Sequence, residues 1–114
     1  MRWKQLTTAD EFSRLLQDSF QFPIIIFKHS TRCATSSVAL QRVERDCTDA
    51  NGEIGFYYLD VIANRELSRL VAETLEVIHQ SPQLLLMKSG KCIHHSSHLF
   101  ISLLEATNKL QEAV

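Results

Sequence analysis

Of the three cysteines in this 114-residue chain, one stands where a thiol can do chemistry. Cys33 follows the apolar run Ile24-Ile25-Ile26-Phe27 and a polar segment, Lys28-His29-Ser30-Thr31-Arg32. Cys33-Ala34-Thr35-Ser36 then opens a stretch of helical period. A thiol at a helix N-terminus faces unsatisfied backbone N–H groups and the positive end of the dipole, and both favour the anion. The thiolate is the nucleophile of disulfide exchange. An ordinary cysteine is only about 3% thiolate at pH 7; about 2.7 kcal/mol of preferential stabilisation raises that to about three quarters. Cys33 is therefore the candidate catalytic residue. The plainer alternative is an inert cap, a role cysteine seldom fills.

The spacing of the other thiols argues for a working sulfur that acts alone. A dithiol site would place its second cysteine at position 36, and this chain has Ser36 there. Cys47 is fourteen residues on, about 21 Å along a helix, whereas a disulfide needs Cα atoms within roughly 7 Å. Cys92 falls beside a predicted turn, Ser89-Gly90, at the far end of a hairpin. Cys47 reads as a small core residue. One Cys-x-x-Ser and scattered histidines lack the spacing of zinc ligands, so no metal site is expected.

Around Cys33, Thr31 and Arg32 precede the sulfur, and the guanidinium adds a cation. Thr35 and Ser36 offer hydroxyls and backbone N–H groups, with Ser36 the better placed. A two-residue turn at Ser89-Gly90 pairs Met87 with Cys92, Leu85 with His94 and Pro82 with Ser97. That register returns Ser97 and His98 beside Ser81 and Pro82, at the end of the sheet expected to hold Cys33. An imidazole there stabilises a thiolate or binds a carboxylate on a small thiol; otherwise it is a surface histidine. His94 and His95 read as packing or solvent residues, and His29 as either.

The elements that must position these groups are legible as periods. Thr8-Ala9-Asp10-Glu11 is a capping box opening a helix whose Phe12, Leu15, Leu16 and Phe20 share a face. A strand at 24–28 follows, then a helix from about 33 to 46 with Ser36, Leu40, Val43 and Cys47 on the Cys33 stripe. Asn51-Gly52 turns the chain into a strand, Ile54 to Leu59. Asn64 is the expected cap of a third helix bearing Leu67, Leu70, Val71 and Leu75. Leu84 to Met87 and the strand from Cys92 form the hairpin, and Phe100, Leu103, Leu104, Thr107 and Leu110 mark the last helix. The order α-β-α-β-α-β-β-α requires parallel crossovers and one antiparallel pair. It predicts an α/β fold with a four-stranded mixed sheet and helices on both faces; a short extra strand near Trp3 is a further option.

This plan resembles the thioredoxin fold, in which a reactive cysteine follows the first central strand and a cis proline faces it. By that resemblance the Ser81–Pro82 bond is expected to be cis. The stretch Phe27-Lys28-His29-Ser30-Thr31-Arg32-Cys33-Ala34-Thr35-Ser36-Ser37 is similar to the signature of the YtxJ family, the monothiol bacilliredoxins of the bacillithiol system. Ser81-Pro82-Gln83, Gly90-Lys91 and Ser97-His98 agree with it. Ala34, where relatives often carry proline, and His94-His95, in place of a tryptophan-containing pair, depart from it. The resemblance implies removal of bacillithiol or a similar small thiol from S-thiolated client proteins, with that thiol as cosubstrate and no tightly bound cofactor. It implies Cys33 as catalytic residue, with Thr31, Arg32, Ser36, Ser81, Pro82, Ser97 and His98 around the sulfur.

Composition excludes other classes. At 45% hydrophobic, 114 residues suit one thioredoxin-like domain over 1–114. Twelve Lys and Arg balance thirteen Asp and Glu, leaving no basic field for nucleic acid or anionic lipid. No apolar stretch nears the roughly 20 residues a bilayer requires, and the start lacks the apolar run of a signal peptide. An odd cysteine count argues against a secreted disulfide framework. The expectation is a soluble cytoplasmic protein. Two competing readings stay open: an adaptor modified once at Cys33 without turnover, and a dithiol reductase joining Cys33 to Cys47 or Cys92.

Overall fold

Six consecutive buried residues, Ile24–His29, form the central strand β2. A strand covered on both faces reads as an unbroken apolar run, yet this one ends in Lys28 and His29, both buried. The computed structural model describes residues 1–113. The chain runs β1 (Lys4–Gln5), α1 (Ala9–Asp18), β2, α2 (Ala34–Asp46), β3 (Gly55–Asp60), α3 (Arg65–Leu75), β4 (Gln83–Lys88), β5 (Lys91–Ser97) and α4 (Leu103–Glu112). Single 3₁₀ turns lie at Asp49–Asn51 and His98–Phe100.

The sheet has five strands rather than four, in the order β1-β3-β2-β4-β5. Lys4 and Gln5 lie parallel to Tyr57 and Tyr58. Both are exposed, so no buried period announces the strand; its flanks hold it instead. Leu6 is fully buried and its N–H reaches the Tyr58 carbonyl at 2.9 Å. Trp3 packs on Phe27 and Phe56 with ring centroids 5.9 and 5.6 Å away. Strands β1, β3 and β2 are parallel, while β4 and β5 run antiparallel to their neighbours.

Alternation along β2 divides the core into two layers. Ile24 and Ile26 pack with Phe12, Leu15, Leu67 and Val71 of α1 and α3. Ile25 and Phe27 pack with Ala39, Val43, Leu103 and Ala106 of α2 and α4. The capping box of α1 is present: Glu11 N–H donates to Thr8 Oγ1 at 3.1 Å, and Thr8 N–H to Glu11 Oε1 at 3.0 Å. Helix α1 stops at Asp18, however, so Phe20 leaves its apolar face and is 64% exposed. Buried Ser19 uses that stop to hold the hairpin, its carbonyl accepting from Ser89 N–H and its hydroxyl from Gly90 N–H. Ser89 and Gly90 both have positive φ, the geometry of a tight hairpin turn.

The hairpin register differs from the simple count. Met87 opposes Cys92 as expected, but a bulge then makes Leu86 the partner of His94 and Gln83 the partner of Ser97. Ile93 is the extra residue, and one inserted residue shifts every later pair by one. Asn64 sits at the start of α3 without a side-chain cap bond; Asp60 Oδ1 instead accepts from Ile62 and Ala63 N–H. In the last segment Phe100 belongs to the 3₁₀ turn and Leu104 points outward, both exposed. Leu103 and Ala106, with Ile101 before them, bury that end instead.

Candidate active site

Cys33 is the N-cap residue of α2, with extended φ and ψ of −119° and 118°. It is half-buried and free, and its side chain makes no capping bond, so the sulfur is not spent on its own helix. Its N–H donates to Ser30 carbonyl at 3.2 Å, closing a tight turn over Thr31 and Arg32. Both of those side chains are exposed, and Arg32 has no ion-pair partner among the described residues.

Ser36, one turn into α2, is fully buried. Its hydroxyl accepts from Ser30 N–H at 3.0 Å and lies 2.6 Å from His29 Nδ1. The serine therefore locks the end of β2 to the start of the Cys33 helix, and its hydroxyl is committed to that joint. Burial pushes the His29 imidazole below its ordinary range, with Asp60 and Ser36 opposing the shift. A neutral His29 then serves as acceptor at Nδ1 for the Ser36 O–H. The His29–Ser36 pairing is the feature that sequence reading left open. Its signal was present: a serine on the apolar stripe of α2 and a histidine closing a buried strand.

The start of β4 lies at the same end of the sheet. Ser81–Pro82 is cis, as the resemblance implied. Gln83 pairs with Lys28, so Pro82 follows one step further along the ladder, level with the end of β2. Pro82 is buried, and the Ser81 hydroxyl is buried without a hydrogen-bond partner. Ser97 pairs with Gln83, and His98 N–H donates to the Pro82 carbonyl at 3.1 Å. The exposed His98 ring reaches Gln80, its Nε2 3.0 Å from Oε1. Ser81, Pro82, Ser97 and His98 are thus one cluster at the end of the sheet where β2 feeds Cys33. His94 is half-buried and His95 exposed, both on β5.

The remaining thiols lie elsewhere. Cys47 caps the far end of α2, with the thirteen residues of the helix between it and Cys33. Cys92 adjoins the Ser89-Gly90 turn at the opposite end of β4. It is half-buried, its thiol donates to His94 carbonyl at 3.3 Å, and burial pushes its pKa up. Neither is within disulfide reach of Cys33 inside this fold.

A half-exposed cysteine on a helix start, with a cis proline at the same end of a mixed sheet, is the arrangement of the thioredoxin-fold thiol–disulfide oxidoreductases. Solved structures agree on the fold. An inferred oxidoreductase with a thioredoxin fold matches at TM-score 0.81 and 24% identity, over 93% of this chain and 91% of its own. The thioredoxin of Malassezia sympodialis matches at 0.76 and 20% identity, over 99% and 92%. That of Trypanosoma brucei brucei matches at 0.77 and 15% identity, over 98% and 90%. Residues 4–105 match the family Monothiol bacilliredoxin BrxC, and the chain belongs to that family. It is a thiol–disulfide oxidoreductase of the monothiol kind. No helix among the described residues is long and apolar enough to cross a membrane.

Proposed function

We propose that this protein, as one thioredoxin-like domain acting in a reducing cytoplasm, removes bacillithiol or a similar low-molecular-weight thiol from S-thiolated client proteins. The observation that carries the reading is Ser36: the place one turn beyond Cys33 holds a buried, hydrogen-bonded hydroxyl. A mixed disulfide on Cys33 therefore has no internal thiol to resolve it and must close on an external one. Cys33 thiolate attacks the small-thiol sulfur of the client's mixed disulfide. The client cysteine leaves as thiolate, which takes up a proton, and the small thiol stays bonded to Cys33. A second small thiolate attacks that bonded sulfur, returning Cys33 as thiolate and leaving as the symmetrical disulfide.

The helix start and the Arg32 cation favour the attacking and departing anion. In this reading the unpartnered Ser81 hydroxyl and the Pro82, Ser97 and His98 wall hold the small thiol, and Thr31 flanks its approach. Ser36 acts through the joint it makes with His29, fixing where the helix begins. The test is turnover of a fluorescent peptide carrying the small thiol in mixed disulfide, with free thiol in excess. Many cycles per molecule are expected, and none for Cys33→Ser. One modification per molecule and then arrest would make the protein an adaptor instead.

A further inference from the structure

Residues 78–81, which lead from α3 into Pro82 and β4, belong to no helix or strand. Among the described residues they make no backbone–backbone hydrogen bond. The last before them is Val77 N–H to the Ala72 carbonyl, and the next is His98 N–H to the Pro82 carbonyl. Apolar packing does not hold them either: Ile78 is 82% exposed, and His79 and Gln80 are exposed as well. Three side-chain bonds fix the segment instead, at successive residues. Gln83 Nε2 donates to the Ile78 carbonyl, the Lys28 ammonium to His79 Nδ1, and His98 Nε2 meets Gln80 Oε1, each at 3.0 Å.

Two of those bonds start from buried side chains of the sheet. Lys28 is fully buried, Gln83 is 1% exposed, and the two oppose each other across β2 and β4. Lys28 continues the stripe of Ile24 and Ile26, where an aliphatic side chain would serve the core at least as well. A buried ammonium costs stability unless its hydrogen bonds are made. Its partners are the Ser68 carbonyl at 3.1 Å and His79. Burial lowers its pKa to about 8, so it stays charged at neutrality. An ammonium has no lone pair, so Nδ1 accepts and the His79 ring is unprotonated. Burial and the Lys28 charge keep it so, pushing the ring's pKa below the ordinary value. The other charged groups around His79 are Arg65, Arg69 and Glu73 of α3, across a shared cleft; His98 reaches the neighbouring Gln80.

The opposed pair stands at the root of both parts of the Cys33 site. Lys28 lies near the end of the strand that leads to Cys33, and Gln83 follows Pro82 directly. His79 is two residues before Ser81. We infer that Lys28 is a positioning residue of the exchange reaction: through His79, and beside Gln83 at Ile78, it sets where Ser81 and Pro82 stand relative to Cys33. Being fully buried, Lys28 touches neither client nor small thiol and acts only through the segment it holds. This role rests on the proposed monothiol cycle and adds to it the residues that place one part of the site. It also gives a reason for a cation in the core stripe of β2, where packing alone asks for none.

The experiment alters the exposed partner, which leaves the core intact. His79→Ala removes the acceptor, whereas His79→Asn keeps one near the Nδ1 position and has no proton to gain. The substrates are a fluorescent peptide carrying bacillithiol in mixed disulfide and free bacillithiol in excess. For the peptide, kcat/KM is expected to fall about tenfold in His79→Ala and to return to within about twofold of wild type in His79→Asn. Alkylation of Cys33 by iodoacetamide, followed by mass, is expected to keep its rate in both variants. Below pH 6.5, kcat/KM of wild type is expected to drop relative to His79→Asn, because a protonated ring sets two cations against each other. Lys28→Met is expected to match His79→Ala, and the double variant to fall no further than either alone. Full activity in His79→Ala, no recovery in His79→Asn, or a constant ratio across pH would each overturn the positioning role and leave the Cys33 cycle standing. Slower alkylation in His79→Ala would overturn it too, by moving the effect to the sulfur itself. Failure of wild type to turn over would remove the cycle and, with it, the role.

Discussion

Lys28 and His29 are consecutive on β2, yet the pleat sends them to opposite faces and to different chemistry. His29 turns towards the α2 layer, where a neutral ring and a serine hydroxyl make a tight polar joint behind Cys33. Lys28 turns towards the α3 layer, where its buried ammonium donates to the Ser68 carbonyl and lies 3.0 Å from His79 Nδ1. One side has its polar groups closed on each other; the other keeps donors unspent. The difference teaches that the polar end of one strand is satisfied locally on one face and at long range on the other. A thiolate needs a rigid helix start, which self-satisfied hydrogen bonds supply.

The closed side breaks most visibly at Ser36. Ser36→Cys puts a second sulfur one helical turn from Cys33, within disulfide span. Challenge with a small-thiol disulfide is then expected to yield an intramolecular bond from Cys33 to the new sulfur, seen by intact mass, where wild type keeps the small thiol. An adduct that persists in the variant would mean position 36 is out of reach and that the monothiol habit has another origin. A milder break is Ser36→Ala, which leaves Ser30 N–H and His29 Nδ1 without their partner. A loss of about 1–3 kcal/mol in denaturant unfolding is expected. A loss near zero would show that the joint does not hold the helix start.

The open side is sharpened by pH. The folded-state Lys28 pKa of about 8 lies below the ordinary value of 10.5. Between those values the unfolded chain binds the proton that the folded one has released, so this group raises stability as pH rises from about 8 to 10.5. Tyr57, Tyr58 and Cys92, whose pKa values burial pushes up, act in the opposite sense at alkaline pH. The difference between wild type and Lys28→Met isolates the lysine. Wild type should gain on the variant across that window, and parallel stability curves would show that Lys28 is solvated when charged.

Much of this was readable from residue order. The capping box at Thr8 and Glu11, the apolar run into Cys33 and the Ser-for-Cys exchange at Ser36 are local signals, carried by neighbours one turn or two residues away. The strand at Lys4–Gln5 was legible only as an option near Trp3, because two exposed residues have no period to display. The bulge at Ile93 escaped for a related reason, since a counted register assumes every residue finds a partner. His29 and Lys28 looked like one polar segment because sequence spacing alone does not say how far β2 continues. Once the strand reaches His29, strict alternation forces the pair apart.

By itself, then, the order of residues determined the element sequence from α1 onward, the lone sulfur at the head of α2 and the family signature around it, since each rests on short-range period, capping or type. Tertiary structure decided which polar groups close on one another and which stay free. That depends on what β3, α3 and β4 bring against β2 from far along the chain, as Ser68 and His79 show by meeting Lys28 at separations of 40 and 51. Contacts at such distances leave no periodic trace, because they are set by how layers stack and not by how a single element repeats.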